Sequence, residues 1–553
     1  LAPKDLSKDL AKNLIAAKEG AMSFPNPDNP YRFDDFLQWR ESCDYYGEDA
    51  FAQQAVRVFC GDAGATVDAA AREISRKASF RWRKLAEAGA WPEKRPWMMH
   101  YDGHGNRIDR IVRPHEIEVL EQEVFGEALF SGQTHPWVRF IKMYLIYQNG
   151  EACIACPVTC TEGLVAVLER FADTPEIRKI VTHCKEGVDG RFAIGAQYLS
   201  EIQGGSDVGA NLLEARLENG QWRLYGQKFF CSATHADYAV VTAKPTGSEK
   251  VGLFVMPSWL EGDKARERRN GFTIDRIKWK MGTSELTTAE LTLDGALAYP
   301  VGPLERGLAN MIGIVLTYSR LTVGLSGAAS MMRAWREAAR YCDFREAFGS
   351  PIGRMPMVAG QLATLARTAK RTLAGAFRLY AEILDLPGGL TPGATSAESD
   401  DLKRRRFCVR ELIMLQKMAT SFDAPDMLRL AMSLFGGHGV MEDFSSLPRL
   451  YRDAAVNELW EGPRNVLLAQ VHRDLAGASA WYAPERFVAD ILAGAPGDTV
   501  AHLQQEAAAI FAGPGLFDPG PAAVENCMRW DRFCHRLFHA YQDVAAAMVD
   551  AQG

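Results

Sequence analysis

The sequence predicts a multidomain α+β protein in four successive parts: a helical N-terminal domain with an extended leading segment, a middle β domain, a C-terminal helical bundle and a further helical extension. Three observations carry this. At 553 residues the chain is too long for one hydrophobic core and divides naturally into three or four domains. Apolar residues recur at three- and four-residue spacing to about Val181, then alternate from about Phe192, then return to helical spacing at Gly307. The alternating stretch is also punctuated by Gly, Pro and Asn clusters, as short strands are. The expected boundaries are 1–191, 192–303, 304–475 and 476–553.

In the first part, 50–85 and 115–146 read as helical, and the aromatic-rich 91–106 between them reads as a loop because turn formers fill it. In the second, 210–217 and 222–225 flank Asn219-Gly220, the signature of a hairpin turn. Short strands follow at 238–243, 251–256, 272–277 and 289–293. About a hundred residues of this kind make a sandwich or barrel. Helical spacing then runs from Gly307 to about Leu475, broken by a Pro/Gly-rich loop at 386–401. The extension has Ala-rich helical stretches with breaks at 494–497 and 513–521. Its Trp481, Phe487, Trp530, Phe533, Phe538 and Tyr541 need burial, so it should pack on the main body.

Composition excludes several classes. Hydrophobic residues at 47% and charged residues at 24% describe a globular chain rather than a disordered or fibrous one. A formal net charge of −6 gives no bulk attraction to nucleic acid or anionic membrane. The extension holds nine acidic and four basic residues, the wrong sign for phosphate contacts. The basic runs 266–269 and 403–406 read as solvated faces. Neither a nucleic-acid nor a membrane partner is expected, since no apolar run approaches the roughly 18 residues of a membrane span. The N-terminus mixes charges without an apolar signal core. Eleven scattered cysteines suit reduced thiols, so the expected location is cytoplasmic. In the cluster of Cys153, Cys156 and Cys160, with His183 and Cys184 beyond, Cys153-x-x-Cys156 has metal-ligand spacing. The first three also share one helical face, so they read as a buried helix and no metal site is assigned.

Glu461 is the candidate for chemistry. Trp460 precedes it and Gly462 follows it, and a glycine cluster, Gly436-Gly437-His438-Gly439, lies upstream. A carboxylate against an aromatic wall loses water, its pKa rises, and it becomes a proton-transfer base near neutral pH. By pattern alone, a helix-terminal Glu before a C-capping Gly fits equally well.

Six motifs in order decide between these readings. They are Gln197-Tyr-Leu-Ser-Glu-Ile-Gln-Gly-Gly-Ser-Asp-Val208, Gly226-Gln-Lys-Phe-Phe-Cys-Ser232, Lys280-Met-Gly-Thr-Ser284, Arg345-Glu-Ala-Phe-Gly-Ser-Pro-Ile352, Phe435-Gly-Gly-His-Gly439, and Tyr451-Arg-Asp453 through Trp460-Glu-Gly462. In this order, and in this structural class, they resemble the acyl-CoA dehydrogenase family of flavoproteins. The stretches at 102–109, 156–159, 203–207, 447–452 and 456–462, with the C-terminal helices, resemble its longer, AidB-like branch.

The resemblance implies the family's architecture, with a four-helix C-terminal bundle, and FAD as cofactor. It implies that Gln197 and Leu199 line the flavin ring with backbone groups, that Ser200 and Ser232 hydrogen-bond it, and that Phe230 covers its face where Trp is usual. Arg345 and Phe348 would reach a neighbouring subunit's cofactor, which implies a homo-oligomer built as a dimer of dimers. Gly436 and Gly437 would meet the phosphate end. Pro463 replaces the usual Thr and lacks a donor, which Asn465 is expected to offset in part. Glu461 would take the α-proton of an acyl-CoA while the β-hydride moves to flavin N5, its backbone N–H polarising the thioester carbonyl. Trp460 and Gly462 would flank the substrate, Arg320 would stand at the pocket mouth, and Ser206 would contact CoA. Ser319 occupies the position of the base in some relatives and cannot serve as one. An electron-transfer flavoprotein is the implied electron acceptor. An oxidase of the same fold and an AidB-like DNA-associated protective flavoprotein are the alternatives.

Overall fold

Where the hydrophobic period changes, the chain changes structure. The computed structural model describes residues 33–390 and 398–551. Residues 1–32, assigned above to the first domain, and 391–397, in the loop after Leu386, lie outside the described residues. Helices Ala50–Phe59, Gly64–Arg76, His115–Phe125, Pro136–Tyr147, Ala155–Arg170 and Pro175–Glu186 form most of the N-terminal part. Asp49 and Thr174 cap two of them by accepting the N–H of Ala52 and Ile177, donors with no partner inside a first turn.

The loop expected at 91–106 needs correction. Trp97–Tyr101 (β1) and Arg107–Val112 (β2) pair antiparallel, with Trp97 opposite Val112. The turn formers belong to the hairpin tip, where Asp102 Oδ1 accepts the N–H of His104 and Asn106 at 2.8 and 2.9 Å. Buried Asp109 on β2 accepts the N–H of Ile274 at 3.0 Å, which ties the hairpin to the β domain.

That domain consists of β3 (Gly195–Tyr198), β4 (Glu214–Glu218), β5 (Gln221–Ser232), β6 (Tyr238–Pro245), β7 (Gly252–Pro257), β8 (Phe272–Ile277) and β9 (Thr288–Pro300). Strands β6, β4, β5, β9 and β7 pair in that order and β7 pairs back to β6, closing a barrel, with β3 beside β6 and β8 beside β9. Asn219 and Gly220 both have positive φ, 49° and 76°, as the two-residue turn between β4 and β5 requires. The strand read at 222–225 continues to Ser232. A bulge between Leu224 and Tyr225, then Gly226 at φ 127°, bends it, and a Cβ at 226 would lie 3.1 Å from Leu213. That bend breaks the alternation and hides the strand's full length.

In the C-terminal part the long helices are Leu316–Phe344, Pro356–Leu384 and Asp400–Leu434, with Arg464–Ala478 beside them. The first and third approach closely at Gly324 and Gly327, where a Cβ would come within 2.3 Å of Gln416 and 2.5 Å of Thr420. This contact brings Arg320 and Lys417 under the same turn. The stretch Leu304–Phe344 is long and apolar enough, by length and composition, to cross a membrane, contrary to the sequence reading. It is mostly buried inside the protein, as a bundle's core helix is. Helix Pro521–Asp550 of the extension lies along Pro356–Leu384 and Asp400–Leu434. Phe487, Trp530, Phe533, Phe538 and Tyr541 are buried, and Trp530 Nε1 donates to Leu468 O at 2.9 Å. Trp481 departs from the expectation: it is 39% exposed, with the Lys403 ammonium 4.1 Å from its ring centre.

Candidate active site

Helix Leu447–Asn457 ends before Glu461, and Pro463 opens the next helix, so the carboxylate sits in a turn rather than at a helix cap. Glu461 and Gly462 both have positive φ, 59° and 97°. For a non-glycine residue that backbone costs about 1–3 kcal/mol and persists only where neighbours hold it. They do. Arg320 Nε donates to Glu461 O at 2.9 Å, and Lys417 Nζ donates to Glu458 O at 3.1 Å and Gly462 O at 2.8 Å.

The Glu461 side chain faces a cavity of about 690 Å³, in the size range of a ligand pocket. Gln197 Nε2, from the end of β3, donates to Glu461 Oε1 at 2.9 Å and to Ser319 Oγ at 3.0 Å. Burial pushes the carboxyl up to about 7, against the opposing pull of Arg320, Lys417 and hydrogen bonds from Ser319 and Gln197. Burial pushes Lys417 down to about 7 and Arg320 down to about 10, while Glu461 raises both.

The structure gathers Gln197, Leu199, Ser200, Ser206, Phe230, Ser232, Arg320, Trp460, Glu461 and Gly462 around this one cavity. Several differ in detail from expectation. Gln197 presents its side chain rather than its backbone. Leu199 O is already taken by Asn211 Nδ2 and Lys228 Nζ, both at 3.0 Å. Lys228 also forms a buried ion pair with Glu201 at 2.7 Å, so two residues of the first motifs serve to fix this wall. Arg320 is 4% exposed and clamps the turn from beneath, because the close helix approach at Gly324 shuts it in; it is not at a mouth. Arg345, Phe348, Gly436, Gly437 and Asn465 do not line the cavity. Asn465 is exposed on the first turn of Arg464–Ala478, which leaves Pro463 unassisted from this side chain. Phe348 (φ 54°) and Gly349 (φ 82°) form the tip of a small hairpin that leaves the Phe348 ring 88% exposed beside exposed Arg345. Gly436 and Gly437 have open space where a Cβ would be.

The cavity wall fits a large polar-edged ligand such as a flavin. Gln197 Oε1, Trp460 Nε1 and Glu461 Oε2 are buried, line it and have no hydrogen-bond partner among the described residues. Lys280 Nζ donates to Thr288 Oγ1 at 2.9 Å, and Thr288 Oγ1 lies 3.0 Å from Ser232 Oγ. With Thr288 donating to Ser232, the Ser232 hydroxyl hydrogen is free for the cavity.

The sequence assigns no site role to Lys417 or Glu151, nor to Lys280 and Asp453, although the last two stand in the quoted motifs. Glu151 is buried in the wall, where desolvation and Asp453 push it up to about 8. Asp453 accepts the N–H of Glu151 at 3.1 Å and of Thr283 at 2.7 Å, joining the N-terminal, middle and C-terminal bundle parts of the chain. The signal for Lys417 was its place inside the apolar helical run 412–419. The cysteine reading holds only in part: Cys156 and Cys160 lie one turn apart on Ala155–Arg170 and line the cavity, whereas Cys153 precedes that helix at φ 57°. Two other groups carry metal-ligand chemistry among the described residues, Glu121/Cys153/His235 and Asp423/His535/His539. A guanidinium enters each, Arg113 on Glu121 at 2.8 Å and Arg371 on His539 at 3.0 Å, so both read as hydrogen-bonded charge networks.

Residues 196–296 match the acyl-CoA dehydrogenase middle domain, 305–476 the acyl-CoA dehydrogenase C-terminal domain, and 38–183 the N-terminal domain of the adaptive response protein AidB. Acyl-CoA dehydrogenase family member 11 of Caenorhabditis elegans is 29% identical over 408 residues, covering 69% of this chain and 63% of that protein. AidB of Escherichia coli is 27% identical over 395 residues, 69% of each. Among solved structures, a Caenorhabditis elegans protein in complex with C11-CoA superposes with a TM-score of 0.77 at 22% identity, over 92% of this chain and 91% of that one. An acyl-CoA dehydrogenase from Bacillus anthracis complexed with FAD gives 0.65 at 18% identity, over 79% and 77%. These superpositions establish the fold. The chain belongs to the acyl-CoA dehydrogenase family. Its N-terminal part aligns it with the AidB-like members of that family.

Proposed function

We propose that the protein catalyses α,β-dehydrogenation of an acyl-CoA thioester to the 2-enoyl-CoA, with Glu461 as the base for the α-proton. One observation carries this reading: a buried carboxylate near neutral pKa, held in a strained turn, with Oε2 unpartnered in the wall of a ligand-sized cavity. FAD, when bound, supplies the two-electron acceptor for the β-hydride. The remaining work belongs to the chain. Gln197 holds one carboxylate oxygen and leaves the other for the substrate, and the Glu461 N–H is the donor for the thioester carbonyl. Ser200, Ser232 and Phe230 hold the flavin, and Ser206 meets CoA. The fit of a relative's fold around C11-CoA supports an acyl-CoA substrate.

We also infer a homo-oligomer, a dimer of dimers, supported by the exposed Phe348 hairpin tip, Arg345 and the open backbone at Gly436 and Gly437, none of which serves the cavity of its own chain. An electron-transfer flavoprotein is the proposed acceptor. Cytoplasmic residence is supported by eleven unpaired cysteines. Anaerobic mixing of the flavin-loaded protein with a panel of acyl-CoA thioesters should bleach the flavin and yield the enoyl product. Failure with straight, branched, cyclic and aromatic acyl groups alike would refute the reading. Repeating the active pair in air separates a dehydrogenase from an oxidase, which alone would turn over continuously without an added acceptor.

A further inference from the structure

We infer that Lys417 is the positioning residue that holds the Glu461 turn in its working geometry and sets the charge environment of the carboxylate. This rests on Glu461 being the base. Lys417 stands at the middle of helix Asp400–Leu434 and is 1% exposed. Among the described residues its ammonium has no carboxylate within ion-pair distance. Instead it donates to two backbone carbonyls, Glu458 O at 3.1 Å and Gly462 O at 2.8 Å. Those carbonyls bracket the residue whose backbone is strained.

A buried ammonium is costly, and an aliphatic side chain would pack there without that cost. What an aliphatic side chain cannot do is fix two carbonyls of a turn. With Arg320 gripping Glu461 O from the neighbouring helix, carbonyls 458, 461 and 462 are all held by cations from two crossing helices. The geometry therefore resists relaxation of Glu461 to negative φ, a change that would swing its carboxylate relative to the cavity. The charged groups facing Lys417 are Glu461 and Glu458 from the turn and Arg320 from Leu316–Phe344. Glu461 is the strongest attractive one, and in return Lys417 favours its ionised form. The same side chain thus does two things for the base: it locates it, and it keeps its pKa from rising further under burial.

The test uses the flavin-loaded protein carrying Lys417→Met, with Lys417→Arg as the conservative partner and Lys417→Gln in reserve should Met fail to fold. The first readout, amide hydrogen exchange over residues 458–462, does not depend on turnover. Lys417→Met should speed it at least tenfold with the rest of the bundle unchanged, and Lys417→Arg should restore most of the protection. The second readout is the pH profile of flavin reduction by the best thioester. Removing the positive charge should move its midpoint to higher pH by about one unit, with the limiting rate falling more than thioester affinity. Unchanged exchange at 458–462 together with an unmoved midpoint would overturn the assignment. If no thioester reduces the wild-type flavin, the dehydrogenase reading falls, yet the exchange readout still decides whether Lys417 holds the turn.

Discussion

Replacing Glu461 by Gln removes the proton acceptor and the charge while keeping the shape, and the two losses have separate consequences. Gln can still accept the hydrogen bond from Gln197, so FAD content and thioester binding should survive. Flavin reduction should fall by about two to four powers of ten, the usual worth of a general base. The wild-type rate should rise with pH through about 7, the value to which burial lifts this carboxyl. Stability provides an independent readout. The carboxyl moves from an ordinary 4.5 to about 7 on folding. At about 1.36 kcal/mol per unit, that sets an order-of-magnitude ceiling of ~3 kcal/mol. The sign follows from a raised folded value: this group's contribution is fully present below about 4.5 and lost as pH rises through about 7. At about pH 8 the wild type therefore carries the cost of a buried charge and Glu461→Gln does not, so the variant should be the more stable by up to ~3 kcal/mol. By about pH 5.5 most of that advantage should have gone. Urea unfolding at the two pH values measures it, and anaerobic stopped-flow measures reduction. Near wild-type reduction by the variant would eliminate Glu461 as the base. A stability gain equal at both pH values would refute its desolvation.

The purified protein should be yellow with about one FAD per chain, because the unpartnered Gln197 and Trp460 atoms and the free Ser232 hydroxyl need a polar-edged ligand; failure to take up FAD on reconstitution counts against this. Light scattering should give a multiple of the 61.2 kDa chain mass. Arg345→Ala should lower both the mass and FAD retention, whereas a flavin-saturated monomer would exclude a shared cofactor site. Trp530→Ala empties a buried site in the extension and removes the bond to Leu468 O. It should cost about 3–5 kcal/mol in urea unfolding, and a loss below about 1 kcal/mol would mean that the extension is not integral to the core.

Local signals explain what was legible in the sequence. The turn at Asn219-Gly220 is encoded by two adjacent residues that accept positive φ, and the helical segments by a period that needs no distant partner. Glu461 stood out because Trp460 and Gly462 lie beside it. The full length of β5 is not legible in the sequence because the bulge before Gly226 interrupts the alternation that signals a strand. The 97–112 hairpin is hidden in the sequence because its turn formers mask two short strands, which contacts such as Asp109 with Ile274 tie to the β domain. The site itself depends on such distant contacts. Gln197 lies 264 residues from Glu461, Arg320 lies 141 away, and Lys417 lies 45 from the Gly462 carbonyl it binds. The carboxyl's position near 7 is a balance: burial raises it, while Arg320, Lys417, Ser319 and Gln197 lower it. Only the first of these could be inferred from neighbours in sequence, so the direction of the shift was accessible and its size was not. The same reasoning accounts for Arg320, whose motif was recognisable but whose place under the turn, rather than at a pocket mouth, is set by the glycines that let two helices close over it.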